Sequence, residues 1–74
     1  MAWYQVQVLL KDGRSVSSPG MDDRAAAEAE VSEIADAMRA EGVVKRPWAA
    51  VDSGASIYAV QLLESSGYNP AARQ

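Results

Sequence analysis

Residues 3–16 read Trp-Tyr-Gln-Val-Gln-Val-Leu-Leu-Lys-Asp-Gly-Arg-Ser-Val, and the way this stretch turns back on itself decides the fold. From 3 to 10 the pattern alternates, with Tyr4, Val6, Val8 and Leu10 on one side and Trp3, Gln5, Gln7 and Leu9 on the other, as in a half-buried strand. Lys11-Asp12-Gly13 fits a three-residue hairpin loop, a type I turn closed by a glycine in the left-handed region with a G1 bulge. That loop sets Val8 opposite Val16, so the one apolar residue of the return strand joins the Tyr4, Val6, Val8, Leu10 face. A two-residue Asp12-Gly13 loop would pair Val16 with Leu9 on the opposite face, which makes the bulged turn the consistent reading. Ser17-Ser18-Pro19-Gly20 ends the second strand, and Pro19 lacks the donor that a central strand needs, so this strand is an edge.

From Asp22 the period becomes helical. Arg24, Ala27, Val31, Ile34, Ala35 and Met38 fall in one stripe at three- and four-residue spacing, and Glu30, Glu33 and Asp36 lie opposite. Asp22 suits the N-cap and Asp23 the first turn, where exposed amides and the helix dipole favour negative charge. Gly42 suits the left-handed position after the helix, with Val43 placed to touch Met38 in a Schellman stop. Lys45-Arg46-Pro47 then leads into a third strand, Trp48-Ala49-Ala50-Val51, and Asp52-Ser53-Gly54 supplies a turn into a longer β-rich run, Ile57 to Leu63. Ile57, Val60, Leu62 and Leu63 do not keep strict alternation, and a bulge within this run accounts for that.

These readings predict an α+β domain of order β-β-α-β-β, with one amphipathic helix on one face of a four-stranded, mostly antiparallel sheet. The first and last strands are the longest and most apolar and are expected at the centre. A helical crossover would make those two strands parallel neighbours, in the order 2-1-4-3. The domain is expected to span residues 1–64, with 65–74 as a flexible C-terminal tail, because Ser65-Ser66-Gly67-Tyr68-Asn69-Pro70 lacks periodicity.

Seventy-four residues suit one domain, since so short a chain buries only about 60% of its unfolded surface on folding. Cysteine is absent, so disulfides and thiolate sites are excluded, and a reducing, cytoplasmic setting is expected. Neither a secretory signal nor an apolar run of membrane-spanning length is present in the sequence. The net charge is −3, distributed as +1 over residues 1–20, −5 over 21–42 and +1 over 43–74.

Histidine is also absent, so the eight serines have no imidazole to activate them. Lys11 and Lys45 sit at turns, and Asp12, Asp22, Asp23 and Asp52 read as turn or cap residues rather than paired catalytic carboxylates. No GxxxxGK[ST] or GxGxxG motif and no acidic metal-binding loop occurs. No catalytic, cofactor or metal residue is therefore expected, and the chain reads as a non-enzyme.

Three surfaces remain. Along the outer helix ridge Glu30, Glu33 and Asp36 are three apart, with no cation four residues downstream to relieve them. A ridge of this kind is usually a solvated face; the sharper expectation is docking to a basic partner. The uncovered sheet face presents Trp3, Gln5, Gln7 and Leu9, with Trp48 or Ala49 also expected outward, either as incidental exposure or as a partner or homodimer surface. A weak basic patch, Lys11, Arg14, Lys45 and Arg46, makes nucleic acid an unlikely partner in an acidic chain, since phosphate binding needs a coherent basic footprint. In size and composition alone the chain resembles phage- or mobile-element-encoded inhibitors of host machinery, anti-CRISPR proteins among them, and no residue carries over. The expectation is a protein-interaction module that binds or inhibits a larger protein. A structural homodimer through the sheet face is the alternative, and a nucleic-acid binder a third; no membrane partner is expected.

Overall fold

A computed structural model describes residues 1–73. Its elements are β1 (Ala2–Leu10), β2 (Ser15–Ser17), α1 (Arg24–Arg39), β3 (Val44–Arg46), β4 (Ala49–Val51), a 3-10 turn (Gly54–Ser56), β5 (Ile57–Ser66) and a second 3-10 turn (Pro70–Arg73). The class is α+β. The expected single four-stranded sheet is instead a three-stranded sheet in the order β2-β1-β5 and a separate two-stranded β3-β4 hairpin.

The first hairpin follows its turn chemistry. Gly13 takes φ +93°, its amide donates to the Leu10 carbonyl at 3.1 Å and the Leu10 amide donates to that of Arg14 at 2.8 Å, and Val8 lies opposite Val16. Past Ser17 the ladder continues through a side chain. The Val6 amide donates to Ser18 Oγ at 2.9 Å, while the Ser18 amide donates to the Val6 carbonyl at 2.8 Å. This hydroxyl takes over an acceptor role just where Pro19 ends regular pairing.

β1 and β5 are neighbours, as their length and apolarity suggest, but they run antiparallel, not parallel. The cause lies between the helix and β5. Residues 44–51 form two three-residue strands around a Pro47-Trp48 turn, with Arg46 opposite Ala49, where a single strand was expected. The additional reversal inverts the direction of β5. β4 therefore pairs with β3, and the Asp52-Ser53-Gly54 segment leads through a 3-10 turn, capped by Ser53 Oγ accepting from the Ala55 amide at 3.2 Å, instead of closing a hairpin onto β5. Ala49 is buried and Trp48 packs on the core, so neither faces outward.

The bulge in the last strand is present. Leu9 faces Ala59 while Leu10 faces Ile57, which leaves Tyr58 as the extra residue. That single insertion flips the strand's alternation, so Ile57 points to the same side as Val60 and Leu62 and is buried. The core of Val6, Val8, Ile34, Val44, Val51 and Ile57 gathers one face of the three-stranded sheet, the helix and the small hairpin.

The helix begins one residue later than expected. Asp23, not Asp22, is the N-cap, its carboxylate accepting from the Ala25 amide at 3.0 Å. At the far end Glu41, not Gly42, holds the left-handed conformation, φ +56°. The Gly42 amide donates to the Ala37 carbonyl at 2.7 Å and the Glu41 amide to that of Met38 at 3.3 Å, the paired bonds of a Schellman stop. Beyond Leu63, β5 runs on to Ser66, and Asn69 is buried, donating to Asp22 Oδ1 at 3.2 Å. Of the 65–74 tail, residue 74 lies outside the described residues.

Candidate functional site, an uncovered sheet face

Alternation along β1 sends Val6 and Val8 to the core and Trp3, Gln5, Gln7 and Leu9 to the other side of the sheet. Register then identifies their neighbours. Ser65, Leu63, Gln61 and Ala59 of β5 lie opposite these four in turn, and Ser17 and Ser15 of β2 flank Gln7 and Leu9. None of these positions carries a charge, although charged residues make up 23% of the chain. At the centre Gln61 Nε2 donates to Gln7 Oε1 at 2.5 Å, and Gln5 Nε2 donates to the Ser18 carbonyl at 2.9 Å. The surface is apolar at Leu9, Ala59 and Leu63, and crossed by amides already fixed in place.

Trp3 belongs only partly to this surface. A Cβ at Gly20 would stand 2.9 Å from Trp3 Cε3 and closer still to Asn69, so the indole, Gly20 and Asn69 form a tight stack at one end of the sheet. The indole Nε1 is shielded from solvent and has no acceptor among the described residues. Ala59, Gln61 and Leu63 complete the face and were not singled out from the sequence. The bulge at Tyr58 hid them, because it shifts the phase of β5 between Ile57 and Ala59.

The acidic ridge is met from within the chain. Arg46 on β3 reaches across to α1, its Nε donating to Glu30 and its Nη2 donating to Glu33 Oε2 at 3.1 Å. The hydrogen bond to Glu30 holds the Arg46 guanidinium above its ordinary pKa, against the opposing effect of desolvation. Asp36 pairs with Arg39 one turn on. Arg24, at the other end of the helix, pairs with Glu28 at 2.9 Å and lies 3.7 Å from Glu64 of β5. Each of Glu30, Glu33 and Asp36 thus has a cation, two of them from a segment the helical spacing rule does not consider.

The basic residues are not brought together as one patch. Arg46 is committed to the helix, and Arg14 folds back onto Asp12 at 2.6 Å. The Arg14 amide and guanidinium hold the Asp12 carboxyl below its ordinary value. Lys11 and Lys45 form no ion pair among the described residues. Lys11 and Arg14 line a cleft of about 410 Å³ with Leu10, Asp52 and Ser56, a mixed-charge lining that includes neither Lys45 nor Arg46. Among the described residues no group of three His, Cys, Asp or Glu side chains is placed to hold a metal, and no helix is long and apolar enough to cross a membrane. Comparisons with protein families, with curated proteins and with solved structures yield no match.

Proposed function

We propose that this chain is a non-enzymatic protein-interaction module that works through the uncovered face of its three-stranded sheet. The observation that carries this reading is the absence of charge from every position on that face, in a chain whose other surfaces are densely charged. A face without ions can be desolvated at little cost, whereas a buried unpaired charge costs several kcal/mol, of the order that decides binding. The partner is accordingly a larger protein presenting an uncharged, largely apolar surface, and covering that surface is the simplest form of inhibition. The helix ridge is the weaker candidate, because the attraction it would offer a basic partner is already answered by Arg46 and Arg39.

The test is site-specific photocrosslinking in the native cell from Leu9, on the face, and from Ser32, on the exposed side of the helix. The expected result is a discrete adduct with a larger protein from position 9 and none from 32, abolished by Gln7→Lys in a chain that still folds. An adduct from position 32 alone, or one from position 9 indifferent to Gln7→Lys, overturns the proposal.

A further inference from the structure

The sheet order β2-β1-β5 leaves one side of β5 without a neighbour along its whole length. Which backbone groups face that side follows from β1. Tyr4 exchanges both of its backbone bonds with Met21 at 2.7 Å, and Val6 bonds Ser18, so the even-numbered residues of β1 direct their amides and carbonyls toward β2. The odd-numbered residues therefore bond β5, through Ala59, Gln61, Leu63 and Ser65. The Gly67 amide, which donates to the Met1 carbonyl at 2.7 Å, keeps the same phase. Val60, Leu62 and Glu64 are left with N–H and C=O groups pointing outward, to the side on which β5 has no paired strand among the described residues.

The two edges of the sheet are treated differently. β2 is three residues long and ends at Ser18-Pro19, a short edge closed by proline. From Ala59 to Ser66, β5 has no proline, no lysine or arginine and no bulge, and its one charge, Glu64, is met by Arg24 at 3.7 Å. Natural edges of that length carry such guards against pairing unless something covers them.

We infer that a second copy of this chain adds to the free edge of β5, antiparallel and across a two-fold axis, to make one continuous six-stranded sheet. Antiparallel pairing of a strand with itself is isologous, so the outward groups of one copy meet the same outward groups of the other. Centred on Leu62, the register sets Val60 opposite Glu64 of the second copy, which keeps the two Glu64 carboxylates apart. The axis runs perpendicular to the sheet, so both helices lie on one side. The two uncharged faces then join on the other side as one surface of twice the width. The inference stands on backbone pairing at the edge and does not depend on what the face binds.

Amide hydrogen exchange at several protein concentrations, with sedimentation equilibrium, tests it. Ala59, Gln61 and Leu63 bond β1 and are protected at every concentration, which reports that the monomer is folded. Protection at Val60, Leu62 and Glu64 should rise with concentration in step with the dimer fraction. Glu64→Pro removes an outward donor and no backbone bond within the chain, its loss of the exposed Arg24 pair being matched by Glu64→Gln as the control, and should raise the dimer dissociation constant roughly tenfold or more over that control. Chemical synthesis with an N-methyl group on Leu62 should give a monomer, while Gln7→Lys on the sheet face should leave the dimer in place. A monomer throughout, fast exchange of Val60, Leu62 and Glu64 at all concentrations, their protection independent of concentration, or a dimer lost to Gln7→Lys and retained in both edge variants would each overturn the inference. So would saturation of the edge by a strand from another protein while the chain itself stays monomeric.

Discussion

Gly54 lies against the end of the helix so closely that a Cβ there would stand 2.8 Å from Met38 Cα and nearer still to the Ala37 carbonyl oxygen. Its amide donates to the Gly42 carbonyl at 2.7 Å, so the 3-10 turn and the Schellman stop close on each other. Both obstructing groups are backbone and cannot swing aside. Gly54→Ala should therefore cost on the order of 3 kcal/mol, the upper end of overpacking effects, and lower the melting temperature by roughly 12 °C or more in a domain of this size. Gly42→Ala is the internal comparison, because its Cβ would meet Ala37 only at ordinary contact distances of 3.8–3.9 Å. Equal losses for the two variants in urea unfolding would show that close approach at Gly54 is not the cause.

Glu41 occupies the position after the helix that glycine normally holds, at φ +56°. A side chain in this region is disfavoured by roughly 1–2 kcal/mol, and a carboxylate at a helix C-terminus meets the negative end of the dipole. The greater unfolded-state freedom of glycine opposes part of that gain. Glu41→Gly should raise stability by about 1 kcal/mol, seen as a higher urea midpoint at unchanged slope. A fall in the midpoint would show that Glu41 makes a compensating contact.

The first hairpin and the helix were legible because their signals are local. Gly13 closes the turn that fixes Val8 opposite Val16, and the stripe from Arg24 to Met38 repeats over several helical turns. The second half of the chain was less legible because its decisive features are short or distant in sequence. Val44–Arg46 and Ala49–Val51 are too brief to show a period, and Lys45-Arg46-Pro47 looks like linker until Arg46 is seen to bond Glu30 and Glu33, sixteen and thirteen residues earlier. Missing that reversal inverted β5. The bulge expected in the Ile57–Leu63 run has no sequence mark that places it at Tyr58, so the phase of Ala59, Gln61 and Leu63 stayed concealed, while Trp3, Gln5, Gln7 and Leu9 were readable from plain alternation.

Asp12 gives the acid limb of stability a defined sign. Its carboxylate accepts from the Arg14 amide at 2.9 Å and from the guanidinium, which lowers its pKa below the ordinary 3.8. A depressed folded-state value means the contribution is complete above the unfolded-state pKa and disappears as pH falls through the folded one. Asp12→Asn should consequently leave a shallower loss of stability below about pH 4 than the wild type has, compared by thermal melts across that range. Because the site is fully exposed the change should be small and should shrink further in salt. Parallel acid limbs for the two proteins would mean that the turn does not hold the carboxylate in solution.

Arg46 decides whether the acidic ridge is a structural seam or a surface offered to a partner. Its guanidinium fork spans Glu30 and Glu33, with side chains 28%, 21% and 67% exposed respectively. Charge-assisted bonds contribute about 1.5–3 kcal/mol when shielded, and partial exposure here brings the expectation for Arg46→Met down to about 1–2 kcal/mol. Arg46→Lys should recover less than half of that, since an ammonium cannot engage two carboxylates as a planar fork does. Adding Glu30→Gln to Arg46→Met should restore part of the loss by removing the half-buried charge left without its partner. The same Arg46→Met change removes the cation shared by Glu30 and Glu33, so a partner that docked there by charge would bind more tightly at low salt, whereas one seated on the uncharged sheet face would not respond. Urea unfolding and binding measured on one set of variants therefore separate the two surfaces. A loss of stability with unaltered binding is the outcome expected if the ridge holds the β3-β4 hairpin to the helix and the sheet face does the recognising.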